Sequence, residues 1–179
     1  MFKIIVGVFF AAITSLAAAD GHGDKMDICI AEFAEAQIGT WKGDFRFWNQ
    51  AENRVVDSSY EMSVTKTANN TLKFTVKNEL GVTETENPIA KTRTGSPNWI
   101  KEPSTTFSVI SCEKLEDNLS MEVAWSGTNA LNGIQVRTVE QTNINLTTGS
   151  FIGSSRTTNL DQPDQPAFIW GLNTGSLQK

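Results

Sequence analysis

From Gly39 onward the chain alternates apolar and polar residues with a period of two. Trp41, Gly43, Phe45 and Phe47 alternate with Lys42, Asp44 and Arg46, and Tyr60, Met62 and Val64 with Glu61 and Ser63. Leu72, Phe74 and Val76 alternate with Lys73, Thr75 and Lys77, and Leu119, Met121, Val123 and Trp125 with Ser120, Glu122 and Ala124. Ile134, Val136, Thr138 and Glu140 share the next face, and residues 150–160 and 167–172 supply two further runs. Successive side chains of a strand point to opposite faces, so this pattern predicts antiparallel strands with one wet and one dry face. Asn69-Asn70, Asp117-Asn118, Asn132-Gly133 and Thr148-Gly149 sit where hairpins need residues that tolerate positive φ. About eight or nine strands joined by short turns predict an all-β fold, an antiparallel up-and-down barrel, because closure removes exposed edges. A two-sheet sandwich is the competing architecture.

Two segments break this rhythm. Ile28, Ala31, Ala34 (or Phe33) and Ile38 fall near a helical period and predict a short N-terminal helix ended by Gly39. Between Leu80 and Ser104, Asn87-Pro88, Gly95-Ser96-Pro97 and Glu102-Pro103 remove ladder donors. That stretch reads as an edge excursion or a long loop, and long loops often serve as lids. Trp99, inside it, either reaches a ligand or packs the loop onto the barrel wall.

The first residues belong to neither pattern. Lys3 precedes an apolar run from Ile4 to Ala19 that closes on Ala17-Ala18-Ala19, as a cleavable signal peptide does. The run is short for a spanning segment and ends in small residues, although an uncleaved anchor is its alternative. No later stretch is apolar enough to span a bilayer, so no integral membrane segment is expected after cleavage. Removing residues 1–19 from the 179 leaves 160, divided into a leader with the short helix (20–38) and a single barrel domain (39–179). Residues Asp20 to Lys25 are small, polar and Gly-rich and are expected to be mobile. The product is expected to be secreted or periplasmic. In such an oxidising compartment the two cysteines, Cys29 and Cys112, are expected to pair, with two reduced thiols as the alternative. A bridge over so long a loop is worth up to ~4–5 kcal/mol in the chain-entropy picture.

Charge and histidine content narrow the chemistry. The formal net charge is −5, and −6 once Lys3 leaves with the signal; Lys and Arg are scattered singly. No footprint for nucleic acid or anionic lipid results. The one histidine, His22, lies in the leader, which excludes a Ser-His-Asp or Cys-His centre on the barrel and a zinc site of several imidazoles. No phosphate-cradling glycine loop or dinucleotide fingerprint occurs, so no cofactor is expected. Glu84 and Glu86 share a strand face, and Asp161 and Asp164 share a loop; both pairs read as solvated acids unless a cleft holds them. Glu140 differs, because it continues the face of Ile134 and Val136 and enters the barrel if that face points inward. Cleavage after Ala19 would also start the mature chain at Asp20-Gly21-His22. A free amine, two backbone amides and an imidazole make a square-planar nitrogen set suited to Cu(II) or Ni(II), so Asp20 and His22 form a candidate metal site.

At Gly39-Thr40-Trp41, a short helix followed by Gly-x-Trp at the start of the first barrel strand resembles the calycin superfamily, which includes lipocalins and avidins. The Thr-Asp-x-x-x-Tyr-like loop of lipocalins and the avidin pattern after the first Trp are not present. The resemblance implies that Gly39 lets the incoming segment approach the barrel and that Trp41 plugs its closed end. It also implies that a late-strand arginine, Arg156 (or Arg137), packs across Trp41. Haem-binding nitrobindin-type barrels open on a similar Gly-Thr-Trp but need a histidine on the barrel, so haem is not expected.

The resulting expectation is an exported calycin-like barrel that binds a small, largely apolar molecule without catalysing a reaction. Phe45, Phe47, Tyr60, Met62, Phe74, Met121 and Trp125, with Val76 and Val123, would line the interior, and Glu140 and Trp99 would complete the site. Two alternatives compete. One is an isomerase- or cyclase-type enzyme using carboxylate or tyrosine acid–base chemistry on a hydrophobic substrate. The other is a filled barrel acting as an interaction module. Fold analogy cannot choose among them; the interior must.

Overall fold

Gly39 converts helix to strand at a φ of +138°, and a Cβ there would sit 2.5 Å from Leu177 Cδ1, so only glycine fits this junction. The computed structural model describes residues 20–49, 53–79, 81–95, 105–128, 133–162, 164 and 169–178. Residues 1–19, whose sequence reads as a signal peptide, and Trp99 lie outside them. Among the described residues, helix α1 (Asp20–Gln37) precedes ten strands: β1 (Gly39–Asn49), β2 (Arg54–Lys66), β3 (Thr71–Asn78), β4 (Gly81–Pro88), β5 (Thr92–Gly95), β6 (Thr105–Leu115), β7 (Asn118–Thr128), β8 (Gln135–Asn145), β9 (Ser150–Asn159) and β10 (Ile169–Leu177). No helix there is long and apolar enough to cross a membrane.

The strands form one antiparallel sheet in the order β4-β3-β2-β1-β10-β9-β8-β7-β6-β5. Each is hydrogen-bonded to its sequence neighbour except β4 and β5, and the first strand pairs with the last, Trp41 opposite Leu177. The result is the expected up-and-down meander, curled into a barrel whose seam lies between β4 and β5. Within the Leu80–Ser104 stretch, β4 and β5 are the two edge strands, as the edge-excursion reading has it, with Pro88 at the end of β4 where the ladder stops; residues 80 and 96–104 lie outside the described residues. Cross-strand ion pairs mark the outer face: Lys42 lies opposite Glu61 at 3.5 Å and Arg46 opposite Asp57 at 2.6 Å. At the turns, Asn70, Gly133 and Gly149 take positive φ as their types allow, whereas Glu116, and not Asn118, does so between β6 and β7.

The helix departs from the sequence reading in two ways. It starts at Asp20, so the stretch expected to be mobile is its first turn. Its buried stripe is Cys29, Ile30, Phe33 and Ala34, whereas Ile28 is 60% exposed. That stripe caps one end of the barrel over Trp41, Val64, Leu72, Leu119 and Ile144, all at most 4% exposed. Two ion pairs with i,i+3 spacing on the helix, Glu32 with Lys114 at 3.1 Å and Glu35 with Lys66, tie it to β6 and β2. Cys29 forms the expected disulfide with Cys112, Cα to Cα 5.8 Å. A bulge makes this possible. Val109 pairs with Val123, but Ser111, not Ile110, pairs with Glu122, so Cys112 falls opposite Met121 on the inner face.

Candidate functional site: the barrel cavity

The inner positions of eight strands and one helix enclose a cavity of about 390 Å³. The interior is hollow. Its floor is the helix end and the first strand. Phe33 and Gln37 face it, and Trp41, 1% exposed, donates its indole Nε1–H to the Gln37 carbonyl at 2.8 Å. Phe151 meets the Trp41 ring edge-on, centroids 5.3 Å apart. Gln37 O is a helix-end carbonyl without an intrahelical partner, so this bond both caps α1 and fixes the plug.

Strand alternation decides the wall. Phe45, Met62, Phe74, Val76, Met121, Val123 and Ile144 supply its apolar part, and Tyr60, Asn78, Thr85, Asn87, Thr142, Asn173 and Glu140 its polar part. No lysine or arginine lines the cavity among the described residues. Tyr60 owes its pose to a glycine. Gly43 lies in register between Tyr60 on β2 and Gly175 on β10, and a Cβ there would come within 1.8 Å of the Thr174 carbonyl oxygen. With that space free, the Tyr60 hydroxyl donates to the same oxygen at 3.0 Å. An aromatic ring bridging a glycine gap in this way supports the sheet where the glycine supplies no side chain. Burial first, and the charge of Asp44 second, push the Tyr60 phenol up to about 12.

Of the expected lining residues, Phe45, Tyr60, Met62, Phe74, Val76, Met121, Val123 and Glu140 meet at this cavity. Trp125 does not. It shares their face but lies farther from α1, in a second cluster with Val136, where it packs on Phe107 at 5.6 Å. The backbone of Phe47 pairs with Val56 and Gly171, and its side chain, like Trp99, lies outside what is described. Arg156 and Arg137 are exposed on the outer face, and Phe151, not an arginine, lies against Trp41. Parity explains this: Phe151, Gly153, Ser155 and Thr157 point inward on β9, so Arg156 points out. Glu84 and Glu86 are surface acids bonded to Lys73 and Thr71, and Asp161 and Asp164 are exposed. The Lys73 ammonium holds the Glu84 carboxyl below its usual range. Asp20 and His22 fall in the first turn of α1, and their side chains lie outside what is described.

Sequence reasoning did not reach Phe33 and Gln37, which enter through helix docking, or Asn78, Thr85, Asn87, Phe151 and Asn173. Thr142 and Ile144 were within reach, since they continue the Val136–Thr138–Glu140 alternation.

No family model and no curated protein matches the chain. Solved structures do. Rv2717c from M. tuberculosis superposes with a TM-score of 0.63 at 12% identity, over 84% of this chain and 98% of that one. A protein of unknown function from the DUF3598 family of Nostoc punctiforme PCC 73102 superposes with a TM-score of 0.51 at 11% identity, over 81% of this chain. The match spans 49% of that larger protein. At these identities the likeness shows the fold alone: this chain shares an antiparallel β-barrel fold with both.

Proposed function

We propose that the chain is an exported, lipocalin-like protein that binds one small, largely apolar molecule inside its barrel and does not transform it. The observation that carries this reading is the hollow interior of about 390 Å³, lined by Trp41, Phe45, Met62, Phe74, Met121 and Val123 together with polar groups. Ligand sites run to about 300–1,000 Å³ and combine apolar walls with a few orienting polar groups. The cavity meets both conditions. Export is supported by the signal-like residues 1–19 and by a long-range disulfide of the kind that persists in oxidising compartments. Acid–base catalysis through Tyr60 is disfavoured, because its proton is engaged by the Thr174 carbonyl and is released only at strongly alkaline pH.

Native mass spectrometry of the protein purified from its own host tests the reading. The expected result is a retained mass that leaves on denaturation, together with quenching of tryptophan fluorescence when an apolar probe is added to stripped protein. Host-purified protein with no retained mass, together with no saturable uptake of any apolar probe by stripped protein, would refute it.

A further inference from the structure

Gly43, Gly175 and Gly153 occupy inward positions where β1, β10 and β9 run side by side, and packing accounts for the first two. A Cβ at Gly43 would strike the Thr174 carbonyl oxygen at 1.8 Å, and one at Gly175 would strike the Phe151 ring, 2.3 Å from Cε1. Gly153 has no such reason. It does not take positive φ, and the nearest atoms to a Cβ there would be Thr142 Oγ1 at 3.4 Å, Asn173 Cβ at 3.7 Å and the Gln141 carbonyl oxygen at 3.7 Å, all ordinary contacts. A glycine inside a strand gives up conformational entropy and packs nothing; it marks a bulge or the close approach of a backbone or a ligand. The ladder runs without a register shift through Gly153, which pairs with Thr142 on β8 and Asn173 on β10, so there is no bulge. The contact distances leave no crowding backbone. What the missing side chain supplies is space.

That space opens on the cavity. Thr142 and Asn173 both line it, as do Phe45, the register partner of Asn173, and Met121, the register partner of Thr142. The wall therefore carries a dent with room for one methyl-sized group, floored by backbone, with a hydroxyl on one side and a carboxamide on the other. Apolar side chains close both ends of the row. A threonine hydroxyl and a carboxamide each donate and accept, so the group they match is one that does both. From this juxtaposition we infer that the cavity takes an apolar molecule carrying a hydroxyl group, which seats against Gly153 between Thr142 and Asn173. The inference rests on the binding reading above and adds the functional group by which that site recognises its ligand. A hydroxyl oxygen where the Cβ would stand needs a shift of only a few tenths of an ångström to come within hydrogen-bond range of Thr142 Oγ1.

Two probes that differ in one group test this: 2-naphthol and 2-methylnaphthalene, both uncharged at neutral pH, titrated by calorimetry. Hydroxyl and methyl are alike in size, so the comparison reads hydrogen bonding. On the unmodified protein 2-naphthol should bind the tighter although it is the less hydrophobic. Thr142→Val should weaken it about tenfold and change 2-methylnaphthalene by no more than about twofold, with Asn173→Ala acting in the same direction. Gly153→Ala should weaken both probes about fivefold or more, because its methyl fills the dent, while melting as the parent does. The ranking on the unmodified protein needs no variant, so poor folding of Thr142→Val does not disable the test. Tighter binding of 2-methylnaphthalene, or a ratio of the two affinities that folded Thr142→Val and Asn173→Ala leave unmoved, would show the hydroxyl inference wrong while the binding reading survives. Unchanged binding of both probes to Gly153→Ala would overturn the placement against Gly153. Binding of neither probe would overturn the inference as well, and the binding reading falls with it only if the host-purified protein retains no mass and no other apolar probe is taken up.

Discussion

Cys112 meets Cys29 because Ile110 is squeezed out of the ladder two residues before it. Val109 faces inward opposite Val123, and unbroken alternation would send Cys112 to the outer face; the bulge restores it opposite Met121, 5.8 Å in Cα separation from Cys29 on the helix. One extra residue thus aims the anchor that fastens the helix over the closed end of the barrel.

Deleting Ile110 should consequently be tolerated. Ser111 and Cys112 would keep Glu122 and Met121 as partners in a regular ladder, and Ile110 is 47% exposed, so little core is lost. The expected outcome is an intact disulfide, with neither cysteine alkylated by iodoacetamide before reduction, and a stability change within about 1 kcal/mol. Alkylation of Cys112 in the deletion variant would show that the register is not as described. Replacing both cysteines with serine opens a loop of 83 residues and should cost up to ~4–5 kcal/mol by urea denaturation, less if the unfolded chain retains structure.

Gly43 predicts a sharper loss from a smaller change. In Gly43→Ala the new methyl meets backbone, the Thr174 oxygen at 1.8 Å and Gly175 Cα at 2.7 Å, and neither can swing aside as a side chain would. The variant should lose about 3 kcal/mol or more in a urea melt, the upper range for overpacking. Gly153→Ala is the control. Its Cβ finds nothing nearer than Thr142 Oγ1 at 3.4 Å, an ordinary contact, and should stay within about 1 kcal/mol of the parent. Equal losses at the two positions would contradict the close approach of β1 and β10.

The contrast between these sites shows what the sequence makes legible. Phe45, Tyr60, Met62, Phe74, Met121, Val123 and Glu140 could be assigned to the cavity because strand alternation is strict, and one face serves for a whole run. Depth along the barrel has no such signal, so Trp125 reads as lining though it packs in the cluster beyond the cavity. The face of Cys112 depends on a bulge that a single sequence does not announce. The helix stripe is only half legible: Phe33 and Ala34 belong to it on either reading, but Ile28 and Ala31 repeat as well as Cys29 and Ile30 do, and only docking against Trp41 and Leu119 chooses between them. The calycin resemblance points to Arg156 beside Trp41, but strand parity turns Arg156 outward and Phe151 occupies that place.

Tyr60 is the chain's one tyrosine, so its ionisation can be read without deconvolution from absorbance at tyrosinate wavelengths. In the folded protein the midpoint should lie near 12, and in urea near the ordinary 10. The sign follows from linkage: the folded value is raised, so the neutral phenol favours the fold fully below the unfolded value, and that advantage disappears as pH climbs from about 10 to about 12. Tyr60→Phe should flatten the alkaline limb of the stability curve in this window. It should also lower stability at neutral pH, because the bond to Thr174 is gone. A native midpoint near 10 would mean that the ring is solvated and not laid across Gly43.

Thr138 and Thr157 offer the cleanest measure of how the polar inner wall is tolerated. They are register partners on β8 and β9, 1% and 2% exposed, with hydroxyl oxygens 2.8 Å apart. A buried hydroxyl that loses its partner keeps its desolvation cost, about 1–3 kcal/mol, whereas removing both hydroxyls leaves no polar group stranded. Thr138→Val and Thr157→Val should therefore each destabilise by about that amount, and the double valine variant by less than the sum and near the parent. Valine suits the strand, so backbone propensity does not confound the comparison. Urea melts of the four proteins close the cycle. Additive losses would mean that each hydroxyl is satisfied by something other than its neighbour, and the two strands would then be held together by ladder and packing without this side-chain bond.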